Sequence, residues 1–418
     1  MDLISSKDVM NIIRKSLNLI DERLISHGDR VGYIILKMLQ YDKKYSERKI
    51  QNFVIASIFH DIGAYKGDEI DKMVQFETET FGRHSIYGYL FFKYLSPFSE
   101  ELAQIILYHH ANYIDLKKSE PLYMDIANFI NLADRIDVMT NVAGYPLNLK
   151  YFKKYANIKY SPYAIELFEK ANETYKIMER IKDNSYMEEL YASFDGIHFS
   201  MEEKEKVLEM LIYSIDFRSE HTVRHTIMTV GIADEIGKRM NLSEEDRRCL
   251  HFGALLHDIG KITTPLHILE APGKLLPEEM KIMRNHVLMS EYILKDYMNS
   301  KILEIAIRHH EKIDGTGYPK QLKGDDLTLP ERILAVSDIV SALAGKRSYK
   351  EAFGNDKIRF ILLNDRDKNK LCSEVVNCVV EQLDDIMDCV EEIIKEDLET
   401  YAQLKEQFHD LMIKYKAS

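Results

Sequence analysis

The sequence predicts an all-α fold made of two similar helical bundles in tandem. Gly and Pro are sparse, at 18 and 9 of 418 residues, and this shortage of helix-breaking residues favours helices over sheets and turns. Apolar residues recur at helical spacing through both halves of the chain. The length exceeds what one hydrophobic core normally serves, so we expect two to three domains.

Charge and hydropathy exclude several classes of partner. The formal net charge is -12 and no block of Lys and Arg stands out, so a nucleic-acid polymer is not an expected partner. No stretch approaches the roughly 18 apolar residues that cross a bilayer, so we expect no membrane segment. The first residues, Met1–Asp8, lack the features of a secretion signal, and we therefore expect a cytoplasmic protein.

The first half of the chain places polar residues where predicted helices end. One helix is expected from Val9 to Leu24 and a second from Ser26 to Leu39. The apolar run 53–59 then leads straight into His-Asp, and later apolar runs lead into His-His and into Asp. This half supplies seven potential metal ligands, in the order His27, His60, Asp61, His84, His109, His110 and Asp134.

The second half repeats this order at nearly the same intervals. Its seven potential ligands are His225, His257, Asp258, His286, His309, His310 and Asp338. Such self-similarity indicates duplication of a whole domain, and we call the two segments the first copy and the second copy. Ser200 and Glu203 have the spacing of a capping box at the start of the second copy. Ser243 and Pro277 predict two further helix starts.

The predicted domain boundaries divide the chain into four parts. A first helical domain covers 1–145, connecting helices cover 146–199, a second helical domain covers 200–375, and a helical tail covers 376–418. The tail either covers the core or pairs with a second subunit, so a homodimer is one expected assembly.

The chemistry of the repeated residues favours a metal centre in each copy. An adjacent His and Asp inside helical core are costly unless a cation or a hydrogen-bond partner receives them. Imidazoles and carboxylates without thiolates favour Fe or Mn over a Cys-rich zinc site. Seven ligands suit two divalent ions that share a bridging carboxylate. Two metals about 3.5–4 Å apart activate a bridging water and stabilise a displacement at phosphorus, so the residues alone predict phosphoester hydrolysis.

Two runs of the second copy carry a specific signature, His257-Asp258-Ile259-Gly260-Lys261 and His309-His310-Glu311-Lys312-Ile313-Asp314-Gly315-Thr316-Gly317-Tyr318-Pro319. Together they resemble the HD-GYP family, a subgroup of the HD-domain phosphohydrolases, over about residues 200 to 375. The first copy resembles only the wider HD family. The expected architecture is therefore a tandem pair of HD-type helical bundles, of which the first is degenerate.

The resemblance implies hydrolysis of cyclic di-GMP or 3',3'-cyclic GMP-AMP to the linear dinucleotide, by attack of a metal-bridged hydroxide on phosphorus. It implies two divalent ions, with Asp258 bridging them and Lys261 beside the scissile phosphate as the other catalytic residue. The implied ligands of one ion are His225, His257, Asp258 and Asp338, and those of the other are His286, His309 and His310. The implied substrate contacts are Asp314, Gly317, Tyr318, Pro319, Arg347 and Lys350.

Two departures from the family pattern leave alternatives open. Some members hold a third metal through a Glu four residues before the first His, where this chain has His221, so a third ion stays open and two are favoured. In the first copy, Ala64 stands at the position of Lys261 and no Gly-Tyr-Pro loop follows His110. We expect this copy to be a candidate metal site with weak or altered activity, which senses, supports or regulates the second copy.

Two other functions stay open from the sequence. The chain could be a non-catalytic cyclic-dinucleotide receptor, although the presence of Lys261 argues against that reading. It could instead be an HD-type phosphohydrolase of mononucleotides, although the Gly-Tyr-Pro loop argues against it. Turnover assays with both substrate classes separate the three functions.

Overall fold

The computed structural model of the chain describes residues 3–65, 83–119, 123–217, 220–345 and 352–416. Within these ranges the chain forms helices, and extended pairing is limited to two isolated bridges, Ala156 with Tyr160 and Asp314 with Lys323. The all-α prediction is thereby confirmed. No helix in the described ranges is both long enough and apolar enough to cross a membrane.

The helices of the first half are α1 (Ser6–Leu17), α2 (His27–Asp42), α3 (Glu47–Ile58), α4 (Arg83–Leu95), α5 (Glu100–Tyr108), α6 (Tyr113–Ser119), α7 (Met124–Asp137), α8 (Leu149–Lys154), α9 (Pro162–Tyr175), α10 (Ile177–Lys182) and α11 (Tyr186–Ala192). Those of the second half are α12 (Met201–Asp216), α13 (Glu220–Arg239), α14 (Glu244–Leu256), α15 (Leu266–Leu269), α16 (Pro277–Leu294), α17 (Ser300–Ile307), α18 (Leu329–Ala344), α19 (Asn355–Asp367) and α20 (Ser373–Lys416).

The chain divides into two compact units. One contains Val9–Ser214 with Leu404–Ser418, and the other contains Ile215–Gln403 with Met1–Asp8. All seven potential ligands of the first copy lie in the former unit, and all seven of the second copy lie in the latter. The domain boundaries at residues 145, 199 and 375 stay predictions.

Four helices and one 3-10 turn occupy matching places in the two copies. In the first copy α2 packs against α3 and α7, and in the second copy α13 packs against α14 and α18. Each His-Asp pair is followed by a short 3-10 turn, which packs against α4 in the first copy and against α16 in the second. The helix pairing confirms the duplication that the repeated His and Asp residues predict.

Local hydrogen bonds set several of the helix starts. The capping box before α12 forms as predicted, since the Ser200 amide donates to Glu203 Oε2 and the Glu203 amide donates to Ser200 Oγ. Ser243 caps α14 by accepting from the Asp246 amide, and Pro277 is the first residue of α16.

The prediction of a helix from Val9 to Leu24 is wrong at the C-terminal end of the helix. The helix stops at Leu17, and a separate 3-10 turn forms at Glu22–Leu24. Asp21 begins that turn, since its carboxylate accepts from the Arg23 amide and from the Arg23 guanidinium. These local bonds give the backbone an alternative to continuing the helix.

Candidate functional site

The His-Asp pair of the second copy lies at a helix end that a glycine brings close to the neighbouring helix. Helix α14 ends at Leu256, and His257 and Asp258 follow it directly. A Cβ at Gly260 would lie 2.0 Å from the His286 carbonyl oxygen, so this close approach requires glycine. Ser290 ties the two segments together, because its hydroxyl accepts from the Gly260 amide and donates to the His257 carbonyl.

Asp258 stands between two groups of potential ligands. Its Oδ2 lies 3.0 Å from His257 Nε2 and 3.7 Å from His225 Nε2, and its Oδ1 lies 3.3 Å from His286 Nε2. Asp338 Oδ1 lies 3.1 Å from His225 Nε2. An ion bound at about 2.0–2.2 Å by each ligand holds neighbouring ligand atoms about 3.0–3.6 Å apart, so these spacings suit coordination to shared ions.

His309 and His310 complete the group on the Oδ1 side of Asp258. The three side chains that can share an ion on this side are His286, His309 and His310. The Nε2 atoms of His286 and His309 are 3.4 Å apart, and His310 Nδ1 lies 3.6 Å from Asp338 Oδ2. The structure therefore brings all seven predicted ligands of the second copy into one centre.

Backbone carbonyls fix the orientation of three of these imidazoles. The Nδ1 atoms of His257, His286 and His309 each lie 2.6 Å from a carbonyl oxygen three residues earlier. A carbonyl only accepts, so each Nδ1 carries the proton and each Nε2 presents its lone pair to the centre. His225 Nδ1 faces the Ser341 hydroxyl at 2.9 Å, and that hydroxyl donates to the His225 carbonyl.

The electrostatics of the centre suit cation binding. Burial raises the pKa of Asp258, but the His257 imidazole and the Lys261 ammonium hold it well below the usual range. Burial lowers the pKa of Lys261, and the neighbouring carboxylates, led by Asp258, raise it above that of a free lysine. Within the described residues, Asp258 Oδ1 and His257 Nε2 are buried without a hydrogen-bond partner. Such atoms are costly unless an ion receives them.

Lys261 and Tyr318 border a cleft that opens onto the centre. Lys261 forms an ion pair with Asp258 Oδ2. The cleft has a volume of about 370 Å³ and is also lined by His310 and Asp338. The centres of the Tyr318 and His310 rings are 4.7 Å apart. The Tyr318 ring also contacts Arg284, whose guanidinium carbon lies 4.7 Å from the ring centre.

The loop that carries Tyr318 is built around a buried glutamate. Glu311 is only 2 % exposed, and its carboxylate accepts from the amides of Lys320 at 2.6 Å and Leu322 at 3.0 Å. A Cβ at Gly317 would lie 2.5 Å from the Glu311 Cα, so the loop requires glycine at that point.

The structure does not place the other predicted substrate contacts at the cleft. Asp314 accepts from the amide and hydroxyl of Thr316, which gives it a part in shaping the loop. Four loop residues were predicted to contact substrate, namely Asp314, Gly317, Tyr318 and Pro319. Among the described residues that line the cleft, Tyr318 is the one from this group. Arg347 and Lys350 lie outside the described residues, and so does the side chain of His221, whose backbone belongs to α13.

The first copy reproduces the centre without the lysine. Asp61 Oδ2 lies 3.2 Å from His60 Nε2, and Asp61 Oδ1 lies 3.6 Å from His84 Nε2. A Cβ at Gly63 would lie 2.1 Å from the His84 carbonyl oxygen, as at Gly260. The full set that converges here is His27, His60, Asp61, His84, His109, His110 and Asp134. The structure therefore places all seven predicted residues of this copy together as well.

Sequence reasoning missed three residues of the second copy that the structure places at the site. They are Arg284, Ser290 and Glu311. Glu311 had a usable signal, since it is a carboxylate within an otherwise glycine-rich loop run. Arg284 and Ser290 lie on α16 beside His286, and only the packing of that helix brings them to Tyr318 and Gly260.

Comparison with known proteins identifies the domain type of both copies. A model of the HD domain matches residues 24–139, and a second HD-domain model matches residues 206–362. The matched ranges contain all fourteen potential ligands. HD domains depend on metal ions, and the His and Asp clusters of both copies agree with that property.

Two curated relatives illustrate the similarity. The chain is 28% identical over 394 residues to 3'3'-cGAMP-specific phosphodiesterase 1 of Vibrio cholerae, which covers 88% of this chain and 89% of that protein. It is 38% identical over 167 residues to a cyclic di-GMP phosphodiesterase of Thermotoga maritima, which covers 39% of this chain and 44% of that protein. The chain thus spans most of the first relative and less than half of the second.

A solved structure shares the fold over most of the chain. The crystal structure of the cyclic GMP-AMP specific phosphodiesterase V-cGAP3 of V. cholerae matches with a TM-score of 0.58 at 19% identity. The match covers 91% of this chain and 98% of that one. At 19% identity this similarity shows a shared fold.

Proposed function

We propose that this chain, which belongs to the HD-domain family and carries two copies of that domain, hydrolyses a cyclic dinucleotide in its second copy. One observation carries the proposal. The potential ligands on both sides of Asp258 lie at one edge of a cleft of about 370 Å³, and Lys261 and Tyr318 border the same cleft. Substrate pockets commonly have volumes of about 300–1,000 Å³, so the cleft is of ligand size.

We assign two divalent ions, Fe or Mn, to the second copy. His225, His257 and Asp338 would hold one ion, His286, His309 and His310 would hold the other, and Asp258 would contribute one oxygen to each. When bound, such a pair polarises a phosphoryl oxygen and makes water a competent nucleophile near neutral pH. The orphaned Asp258 Oδ1 and His257 Nε2 support this assignment.

Lys261 is the residue we assign to the reacting phosphate. In hydrolysis, a water oxygen joins phosphorus, one ester P–O bond breaks, and the leaving oxygen takes a proton. The Lys261 ammonium, held by Asp258, would offset the charge that develops on the phosphoryl oxygens, and its Nζ can donate the proton. The Lys261 side chain is 16 % exposed, and a largely buried cation is worth more to such a transition state than one in bulk water.

Tyr318 is the residue we assign to orienting the substrate. Its ring contacts both His310 and the Arg284 guanidinium, at one border of the cleft. A tyrosine at the border of the cleft with a guanidinium beside it offers a base an aromatic contact and a nearby positive charge. The relative that matches along most of the chain is specific for 3'3'-cGAMP, so 3',3'-cyclic GMP-AMP is the first substrate to test and cyclic di-GMP the second.

The test is chromatographic product analysis with the full chain loaded with Mn or Fe. Incubation with 3',3'-cyclic GMP-AMP or cyclic di-GMP is expected to give the linear dinucleotide, and a His257→Ala, Asp258→Ala variant is expected to give none. Binding without product from metal-loaded wild type would indicate a receptor. Hydrolysis of nucleoside triphosphates alone would indicate a mononucleotide phosphohydrolase, and either result would overturn the proposal.

Several finer expectations stay predictions. They are the two-ion stoichiometry as opposed to three, a homodimeric assembly, the lack of a nucleic-acid partner and a cytoplasmic location. Arg347 and Lys350 stay predicted contacts of the phosphate or guanine, and His221 stays a candidate ligand of a third ion.

A further inference from the structure

One stretch in the first half of the chain carries lysines and tyrosines but no acidic residue. Residues 138–165 contain Lys150, Lys153, Lys154 and Lys159 and lack Asp and Glu, in a chain that has 68 acidic residues and a net charge of -12. A cluster of one sign of charge creates a local field that attracts the opposite sign. This part of an acidic chain therefore attracts anions.

Residues 155–160 of this stretch form a tight turn whose base is buried. The Asn157 amide donates to the Tyr160 carbonyl at 2.9 Å. Tyr160 is buried, and its ring lies 5.4 Å from the ring of Phe152. Ile158, within the turn, is 52 % exposed. The turn therefore holds a large apolar side chain in solvent on a well-anchored backbone.

A second exposed isoleucine lies on the segment beside this turn. The Ile114 amide donates to the Ile158 carbonyl at 3.0 Å, and the Tyr113 amide donates to the Lys159 carbonyl at 3.1 Å. Ile114 is 45 % exposed. Single exposed apolar residues are ordinary, but two on hydrogen-bonded neighbouring segments form a small apolar surface that suits a partner.

Lysines flank Ile158 along its own segment. The ammonium groups of Lys154 and Lys159 lie 5.7 and 5.6 Å from the centre of the Tyr155 ring, so one aromatic ring contacts both cations. Lys150 lies one helical turn before Lys154 on α8, and residues at this spacing share one face of a helix. The segment therefore presents an isoleucine and three exposed lysines to solvent.

Helix α6 adds a fourth lysine. Lys117 is exposed and lies one helical turn after Ile114, so the two residues share one face of α6. Among the described residues, the lysines of this surface that pair with no acidic side chain are Lys117, Lys150, Lys154 and Lys159. We call these four lysines, together with Ile114 and Ile158, the lysine-isoleucine patch.

The chemistry of the patch fits an anionic lipid surface. Anionic head groups attract each lysine near the membrane, and exposed aliphatic side chains gain free energy by burial at the boundary of head groups and acyl chains. A nucleic acid would use the lysines but not the isoleucines, since its binding depends on phosphate contacts and base stacking. An acidic protein would need a pocket shaped for the two isoleucines, whereas a bilayer needs none.

The net negative charge of the chain restricts binding to this patch. Charges more than about 8 Å from the lipid surface are largely screened at physiological ionic strength, so the acidic residues elsewhere on the chain repel the membrane only weakly. A face with acidic residues gains nothing at an anionic surface. The chain is therefore expected to bind reversibly and in one orientation.

We propose that the lysine-isoleucine patch docks this chain on an anionic lipid bilayer, with Ile114 and Ile158 at the head-group boundary. Such docking is peripheral and needs no helix that crosses the membrane. The inference goes beyond the proposed function and is independent of the substrate that the second copy cleaves.

The first test is co-sedimentation of the intact chain with lipid vesicles. The chain is expected to bind vesicles of phosphatidylcholine with about one third phosphatidylglycerol at about 0.1 M NaCl, and to dissociate at about 0.5 M. It is expected not to sediment with vesicles of phosphatidylcholine alone. Failure to bind the anionic vesicles at the lower salt concentration would overturn the inference.

The second test removes charge from the patch. A Lys154→Gln, Lys159→Gln variant is expected to lower the partition coefficient about 25-fold, because each lysine near an anionic surface contributes about fivefold. The matched control is Lys182→Gln, Lys395→Gln, which removes the same charge from two exposed lysines outside the patch. An equal loss in both variants would show attraction by overall charge and would contradict docking through the patch.

The third test removes the apolar side chains and keeps the charge. An Ile114→Ser, Ile158→Ser variant is expected to lower the partition coefficient at least about tenfold, because two half-exposed isoleucines lose their burial in lipid. Far-UV circular dichroism and the rate of linear product formation are expected to stay unchanged. Unaltered binding by this variant would overturn the placement of the isoleucines at the head-group boundary.

Two other partners are distinguished by the same samples. Binding of single-stranded DNA without binding of vesicles would assign the patch to a nucleic acid and overturn the inference. Self-association that the Lys154→Gln, Lys159→Gln substitutions abolish, again without vesicle binding, would assign it to an acidic surface of a second copy of the chain. None of these measurements depends on hydrolysis, so failure of the proposed function is recognised separately.

Discussion

Replacement of Lys261 by Met is the most informative change to the cleft. Methionine approximates the length of the aliphatic stem and removes the ammonium that pairs with Asp258. The loss of one preorganised charge beside a reacting phosphate costs about 2.7–4 kcal/mol of transition-state stabilisation, which corresponds to about 100- to 1,000-fold in kcat. Metal content should not fall, because Asp258 loses a competing cation and keeps its oxygens for the ions.

The assay for Lys261→Met is the steady-state rate of linear product formation, with metal content measured on the same sample. A Lys261→Arg variant is the matched control, because it restores a cation in a different shape and is expected to recover part of the rate. A rate within about threefold of wild type would refute the role of Lys261 in phosphoryl transfer. Loss of the ions from Lys261→Met would show instead that this residue supports the metal centre.

Three further predictions concern residues around the centre. Glu311→Gln keeps one of the two oxygens that accept from the amides of Lys320 and Leu322. We expect kcat/KM to fall about tenfold with metal content unchanged, because one buried amide loses its acceptor. Unchanged kinetics would count against a role of this loop in substrate binding. Arg284→Ala should raise KM a few-fold and leave kcat within about twofold, because an exposed cation–π contact is worth about 0.5–1 kcal/mol, and a fall in kcat alone would contradict this. Burial raises the pKa of Asp216 to about 6, above its value in the unfolded chain. The free energy of unfolding should therefore fall by about 3 kcal/mol as pH rises from about 4 to above 6. Urea unfolding at pH 4 and pH 7.5 tests this. The free energy of unfolding of Asp216→Asn minus that of wild type should be larger at pH 7.5 than at pH 4. An equal difference at both pH values would refute the raised pKa of Asp216.

Sequence patterns predicted the features that depend on order along the chain. The two sets of seven ligands, the helix that starts at Pro277 and the capping box of Ser200 and Glu203 all follow from spacing, and the structure contains them. These features depend on local backbone chemistry and on helical periodicity, both of which a sequence carries directly.

Features that depend on packing were not predictable from those patterns. The helix expected to reach Leu24 ends at Leu17, because local bonds of Asp21 compete with it. The contact of Arg284 with Tyr318 requires the packing of α16 against the loop, which no short motif encodes. The cleft of about 370 Å³ in the second copy depends on many side chains at once.

The two copies therefore differ in surroundings more than in ligands. The matching acids, Asp61 and Asp258, each stand between two groups of imidazoles. Among the residues that the structure describes, Asp258 has an ammonium partner and a cleft of ligand size beside it, and Asp61 has neither. The site residues thus predict where metal binds, and the adjoining lysine and loop predict where hydrolysis occurs.

The central claim is tested most directly by the rate of linear product formation from 3',3'-cyclic GMP-AMP and cyclic di-GMP in two matched double variants of the metal-loaded chain. We expect His257→Ala, Asp258→Ala to lose activity by at least about 1,000-fold and His60→Ala, Asp61→Ala to continue forming product. Activity that survives the second-copy substitutions and is abolished by the first-copy substitutions would contradict the assignment of hydrolysis to the second copy.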